Sequence, residues 1–292
     1  MFSGTLAKVG WLAGLRSCPV CSSPQQAQFS VVDGQRYDEC KACGLLYVAD
    51  GRLAEIDRGA NIVAYGADYW AAEGESARQR ARGSSLARAA EALLYCRRPV
   101  ERFLDIGSGG GELLMELRKR LPTSAGIFHG VEMNPPPGRD DQPYVTVGTV
   151  ADLTDKFDAG VCIEVLEHLT PKMVDGLVAS LAAVCRENSL FLFNTGLSEY
   201  TRHEDPAYLD PHGRGHIVSY SWTALEKLFE PHGFRIRRLG SRQWAFCAEY
   251  MPTSWDGDMH ERVWTSPNVG LLDDPATDSV LFLLGRESAR TA

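Results

Sequence analysis

The sequence predicts an α/β fold in which helices cover both faces of a mainly parallel sheet, with a small cysteine-bound module ahead of it. Three observations predict this. Apolar strand-like runs alternate with helix-patterned segments from residue 100 onward, the pattern of a parallel sheet buried on both faces. A strand, a glycine-rich turn and a helix follow one another without a gap at 100–120. Two C-x-x-C pairs stand near the N-terminus.

The pairs are Cys18-Pro-Val-Cys21 and Cys40-Lys-Ala-Cys43, with eighteen residues between them. Each pair forms a tight knuckle that aims two thiolates at one ion, and two knuckles at this separation complete a tetrahedron for Zn2+. Four thiolates leave no open coordination position, so the ion is expected to be structural, holding a segment with too little core to fold alone. Between the pairs, F-S-V-V-D-G-Q-R-Y-D-E-C sets D-G among strand-like residues, the signal of a hairpin. The chain has eight cysteines, but this spacing and its length argue against a secreted disulfide scaffold. We expect a zinc ribbon over residues 1–58 and a larger domain over 59–292.

Hydrophobic residues make up 44% of the 292, enough for a substantial core. A formal net charge of −8 argues against nucleic acid as the main partner, because proteins that bind phosphate backbones carry a basic face. No long apolar run is present and the N-terminus lacks a secretory signal pattern, so the expectation is a cytoplasmic protein with no membrane partner. No oligomeric state follows from these features.

Residues 47–76 connect the two parts, and Tyr65, Tyr69 and Trp70 within them are expected to pack the ribbon against the larger domain. The proline-free stretch Ser76–Tyr95, rich in Ala, Arg, Leu and Glu, reads as one helix. V-E-R-F-L-D-I (100–106) reads as a strand that ends in Gly107, Gly109, Gly110 and Gly111. Leu113, Leu114 and Leu117 then recur at helical spacing. Glycine lets such a turn bend sharply and lets a ligand press against the main chain. I-F-H-G-V-E-M-N (127–134) reads as a second strand ending on Glu132, placed to accept hydrogen bonds from both hydroxyls of a ribose. The prolines that follow disfavour a crossover helix. Further strands are expected at 144–148, 157–163 and 189–194, with a helix at 172–185 and a loop at 195–219 holding His203, His212 and His216. W-T-A-L-E-K-L-F-E-P-H-G-F-R-I reads as helix, glycine stop and sixth strand, and S-V-L-F-L-L-G (279–285) as the last strand. Between them an insertion is expected at about 241–278, carrying Trp244, Trp255 and Trp264.

A glycine turn with a ribose acid suits NAD, FAD or S-adenosylmethionine, and spacing separates them. A dinucleotide motif needs a third glycine at 112, where Glu112 stands. The pattern present is D-x-G-x-G-x-G, in Asp105, Gly107, Gly109 and Gly111. An acid at the strand end suits a ligand with a cationic amine and repels a pyrophosphate.

The segments D-I-G-S-G-G-G, Glu132 and F-D-A-G-V-C-I-E-V-L-E-H-L resemble the class I S-adenosylmethionine-dependent methyltransferases, and E-V-L-E-H-L resembles their small-molecule branch. The cysteine pairs, G-L-L-Y-V and the later Y-W resemble bacterial members with an N-terminal zinc ribbon, several of which act on sugars or other secondary metabolites. The resemblance implies a Rossmann-like, seven-stranded, mostly parallel sheet whose last strand is antiparallel. It also implies that Asp105 and the loop Gly107, Ser108, Gly109 and Gly111 hold the methionine end of S-adenosylmethionine, that Glu132 takes the ribose, and that Met133 packs beside the adenine. Glu164 joins this cofactor-binding set at the carboxyl edge of the sheet, and Asp152 or a backbone contact is expected at the adenine amine. His168, His203 and His216 are the candidate general bases on the acceptor side. The expected acceptor is a small molecule, offering a hydroxyl of a sugar or secondary-metabolite intermediate. The alternatives are an rRNA or tRNA methyltransferase with a zinc module, and a non-catalytic zinc-ribbon interaction protein with a cofactor-binding domain.

Overall fold

A computed structural model describes residues 17–60, 66–138, 142–254 and 259–272. Strands β1 (Gln26–Val32) and β2 (Gln35–Cys40) form the hairpin between the two knuckles. Asp33 and Gly34 close it at φ 48° and 79°, the left-handed pair that a two-residue type I′ turn requires. Strand β3 (Leu46–Val48) pairs antiparallel with β2. A two-residue strand from far along the chain, Val218–Ser219, then pairs with β3 and completes a four-stranded sheet. The cysteine module is thus joined by backbone hydrogen bonds to the loop that carries His216.

After α1 (Arg52–Ile56) come α2 (Ala67–Ala81) and α3 (Ser84–Tyr95). The single helix expected over Ser76–Tyr95 is two, because the chain turns at Arg82 and Gly83. The larger sheet is built from β4 (Phe103–Ile106), β5 (Phe128–Glu132), β6 (Val145–Val147), β7 (Phe157–Ile163) and β8 (Cys185–Asn194), all parallel where they pair. Helix α4 (Glu112–Arg120) follows β4, and α5 (Pro171–Val184) follows β7 with Thr170 as its N-cap. No helix lies between β5 and β6 among the described residues, as the prolines predict. Helix α6 (Ser198–His203), β9 (the Val218–Ser219 strand), α7 (Trp222–Phe229), β10 (Phe234–Arg238), β11 (Ala245–Tyr250), α8 (Met259–Thr265) and α9 (Val269–Leu272) complete the chain.

The sheet order is β10-β11-β8-β7-β4-β5-β6, seven strands in all, with β11 antiparallel to both its neighbours. The antiparallel strand is therefore Ala245–Tyr250, inside the stretch expected to be an insertion. The expected strand at 279–285, and Trp255, lie outside the described residues. Ala-Phe-Cys-Ala-Glu-Tyr reads poorly as a core strand because it contains Glu249, yet Glu249 is fully buried. Arg262 on α8 meets its carboxylate with two hydrogen bonds (2.6 and 3.1 Å) and Arg237 on β10 with a third (2.8 Å). A buried charge is tolerated when it is paired and hydrogen-bonded in this way.

Alternation along the strands splits the core in two. Leu104, Ile106, Phe191 and Phe193 face one side, where α5, α7 and the cysteine module pack. Phe103, Leu190, Leu192 and Val161 face the other, against α3 and α4. Strands β4 and β7 are buried almost throughout, as a parallel sheet covered on both faces demands. At Gly160 in β7 a Cβ would collide with the Leu104 carbonyl oxygen and the Phe191 ring, so only glycine lets these strands approach. Among the described residues, no helix is long and apolar enough to cross a membrane.

Candidate active site

The carboxyl ends of β4, β5, β7 and β8 open into one cavity of about 1210 Å³. This is the edge where parallel α/β sheets place ligands. One half is made by the turns after β4 and β5. Gly107, Gly109 and Gly111 adopt φ of 73°, 55° and 76°, so the glycines are needed for the backbone path itself. Glu132 at the tip of β5 reaches back, and its carboxylate accepts hydrogen bonds from the Gly109 amide (2.9 Å) and the Asn134 amide (2.8 Å). Met133 beside it is 61% exposed and lines the cavity.

Asp105, next to last in β4, has its side chain buried. Burial first, and then the negative charges of Glu132 and Glu112, push its carboxyl up to about 7. No cation appears among the groups that shift it. Next to it, the Ser108 hydroxyl is buried without a hydrogen-bond partner. A buried acid lacking a cation and a buried hydroxyl lacking a partner, both on the cavity wall, are the groups that a zwitterionic ligand end would satisfy. The indole of Trp70 on α2 lies over this turn, within 3.5 Å of where a Cβ at Gly109 would stand. Tyr69 and Trp70 thus line the cavity, and Tyr65, grouped with them in the sequence, lies outside the described residues.

The other half is formed by the turn after β7 and the loop from β8 to β9. Glu164 takes a left-handed φ of 55°, an uncommon choice for a non-glycine residue and one that clusters at functional sites. Asn194 at the end of β8 donates to its carboxylate (2.6 Å), while burial and then Glu167 raise it to about 8. A short 3₁₀ turn, Leu166–His168, directs Glu167 inward, where it is fully buried. His168 and His216 line the cavity with ring centroids 5.0 Å apart. The Nδ1 of each meets a main-chain carbonyl, Gly215 at 3.1 Å for His168 and Tyr208 at 2.7 Å for His216. Burial lowers both, and with the neighbouring His168 it pushes His216 down to about 3, so both imidazoles are neutral at physiological pH.

Two expected residues stand elsewhere. The side chain of His203 is 71% exposed on α6, beside Glu199 at 3.3 Å, and does not line the cavity. Its position one turn from Glu199 turns it to solvent. The Asp152 carboxylate caps its own turn, accepting from the Thr149 amide at 2.7 Å and the Thr149 hydroxyl at 2.8 Å, and is absent from the wall as well. Sequence reasoning missed Trp70, Tyr208 and Glu167. Of these only Glu167 left a signal, the second acid of E-V-L-E-H-L.

Away from the cavity, Cys18, Cys21, Cys40 and Cys43 converge with all four sulfurs within 4.8 Å of one another. The Sγ separations are 3.7 Å for Cys18–Cys43 and 3.5 Å for Cys21–Cys40. A tetrahedron with zinc–sulfur bonds of about 2.3 Å has edges of about 3.8 Å, so the cluster can hold one such ion. Gly44, at φ 77°, makes the second knuckle's turn.

Residues 75–239, more than half of the chain, match the family model described as a methyltransferase domain. Solved structures that resemble the chain include magnesium protoporphyrin IX methyltransferase from Synechocystis PCC 6803 with bound S-adenosylhomocysteine (17% identity, 63% of this chain and 97% of that one, TM-score 0.44). They include the amino pentose methyltransferase CalS10 of Micromonospora echinaspora (17%, 60% and 96%, 0.43) and human N-acetylserotonin methyltransferase (15%, 68% and 66%, 0.43). No curated protein matches the chain. On the family match, together with the seven-stranded sheet and its glycine turn, the chain belongs to the class I S-adenosylmethionine-dependent methyltransferases.

Proposed function

We propose that this enzyme methylates a hydroxyl of a small molecule, a sugar or secondary-metabolite intermediate. The observation that carries the reading is the joining of the two halves of the cavity. The glycine turn with Asp105 and the two-histidine wall share one space of about 1210 Å³, large enough for a cofactor and a compact acceptor together. The net charge of −8 favours an uncharged or cationic acceptor over a phosphate backbone.

When bound, S-adenosylmethionine supplies a methyl group on a sulfonium, open to in-line displacement. Asp105 receives the ammonium of its methionine end, with Ser108 and the Gly107–Gly111 backbone around the carboxylate. Glu132 turns its carboxylate to the ribose hydroxyls, Met133 lies against the adenine, and Glu164 borders the donor from the β7 side. Trp70 keeps water from the turn. His168 and His216 face the acceptor, and the enzyme's main contribution is alignment of two reactants. We further read residues 1–58 as a ribbon around one structural Zn2+ and residues 59–292 as the methyltransferase domain. The ribbon braces the acceptor side: the Tyr37 hydroxyl donates to the His216 carbonyl (2.8 Å), and Arg202 bridges Glu39 (2.9 Å) and the Gly44 carbonyl (3.0 Å).

The test is release of S-adenosylhomocysteine from S-adenosylmethionine in the presence of a panel of neutral and amino glycosides, phenols and hydroxylated natural products. Turnover with at least one hydroxyl acceptor is expected, and it is lost in Gly109→Val, where the added side chain meets Trp70 at a left-handed φ. Turnover confined to RNA would overturn the choice of acceptor.

A further inference from the structure

We propose that Glu167, His168 and His216 form a second metal site, for a divalent first-row transition ion, which binds the acceptor hydroxyl beside the methyl donor. The acceptor part rests on the methyltransferase reading of the same cavity; the ion does not. One ligand atom from each of the three residues lies within 4.8 Å of the others. This spacing is what three ligands of one ion require.

Three further observations point to an ion. First, both carboxylate oxygens of Glu167 are buried without a close hydrogen bond, although the Thr195 and Tyr208 hydroxyls and the Glu164 carboxyl stand near them, and a basic atom, His216 Nε2, faces them at 3.9 Å. An unsatisfied buried carboxylate is costly, and a divalent cation between these groups removes the cost. Second, a carbonyl oxygen only accepts, so the Nδ1 of each imidazole carries the proton toward Gly215 or Tyr208. Each Nε2 is left with a free lone pair. Histidines that bind metals are oriented in this way, by a main-chain or carboxylate acceptor on the second nitrogen. Third, Glu164, held by Asn194, brings a second carboxyl alongside Glu167 on a strained backbone. Two adjoining carboxyl groups with two imidazole Nε2 atoms facing one space make a donor set for a cation.

Two imidazole nitrogens favour a first-row transition ion over Mg2+ or Ca2+, which prefer oxygen ligands. The three ligands stand on the protein side, and His168 and His216 border the cavity, so the remaining positions open toward the acceptor. The four-cysteine site is closed; this one is open. An acceptor hydroxyl in an open position becomes more acidic and releases its proton to water in the cavity. Its oxygen then forms the bond to the methyl carbon as the carbon–sulfur bond breaks, and sulfur keeps the bonding pair. The products are a methyl ether, S-adenosylhomocysteine and one proton. The ribbon's hydrogen bonds to the His216 and Ile217 carbonyls hold the loop that supplies one ligand.

The full chain, loaded with one zinc per chain, is titrated with Mn2+, and free Mn2+ is read by electron paramagnetic resonance. Mn2+ stands lowest in the affinity order and does not displace zinc from thiolates. Wild type is expected to bind one Mn2+, and Glu167→Gln and His216→Asn to weaken it by more than about tenfold. S-adenosylhomocysteine binding in the same samples reports that the variants are folded. Wild type that binds S-adenosylhomocysteine but no Mn2+ overturns the ion and leaves the methyltransferase reading intact; binding of Mn2+ without S-adenosylhomocysteine does the reverse. Catechol, added as a chelating hydroxyl probe, is expected to displace ion-bound water and lower the water-proton relaxation rate. Unchanged relaxation overturns the assignment of the acceptor hydroxyl to the ion.

Discussion

Replacing Asp105 by Asn separates what this acid does for the cofactor from what it costs the fold. Its carboxyl is 4% exposed, and burial with the nearby Glu132 and Glu112 raises it from 3.8 to about 7. Holding its charge in the folded chain without a bound cation therefore costs about 4 kcal/mol above neutral pH. The sign follows from the direction of the shift. An acid whose folded value is raised removes stability as pH climbs from the unfolded value, about 4, to the folded one, and the loss is then constant. Asp105→Asn should therefore raise the unfolding temperature of the ligand-free protein at pH 8, by about 2–3 °C for each kcal/mol regained. At pH 4 the two proteins should melt together. Cofactor binding runs the other way, since the ammonium needs the carboxylate. Wild-type affinity for S-adenosylhomocysteine should increase about eightfold between pH 5.5 and 6.5 as Asp105 ionises. In Asp105→Asn this slope should vanish, and at pH 7.5 the affinity should be about 10- to 100-fold weaker through loss of a charge-assisted hydrogen bond. Thermal melts and calorimetry at these pH values decide the matter. An Asn variant with wild-type affinity and an unchanged pH slope refutes the placement of the ammonium at Asp105.

Two other perturbations test the frame around the cavity. Cys40→Ser should remove about one zinc per chain by elemental analysis and lower the melting temperature, because binding energy at a four-thiolate site is folding energy; full zinc content in the variant would contradict the site. Glu249→Ala should lower stability in urea by about 3–5 kcal/mol, since it leaves Arg262 buried at 2% exposure without its carboxylate; a loss under about 1 kcal/mol would show the charge network to be dispensable.

What the sequence revealed, and what it concealed, divides along physical lines. The glycine turn, Glu132 and the cysteine pairs were legible because local chemistry dictates them: left-handed φ at Gly107, Gly109 and Gly111, and knuckle spacing for four thiolates. The hairpin at Asp33 and Gly34 was legible for the same reason. Strand β11 was not, because the charge of Glu249 hides a core strand whose partners, Arg237 and Arg262, lie 12 and 13 residues away. The pairing of β3 with β9 joins residues more than 170 positions apart and leaves no local trace. The place of Trp70 on the cavity wall was not legible, because an aromatic residue reads alike whether it packs a core or lines a cavity. His203 and His216 differ only in burial, which comes from the packing of the loop and not from its composition.

The central claim, that the turn after β4 and the acid at the end of β5 form the cofactor site of a methyltransferase, is tested most directly by titrating S-adenosylhomocysteine into wild type and Glu132→Ala in a calorimeter. The account predicts one saturable site per chain in wild type, weakened by at least about tenfold in the variant. No binding to wild type, or equal affinity in the two proteins, would contradict it.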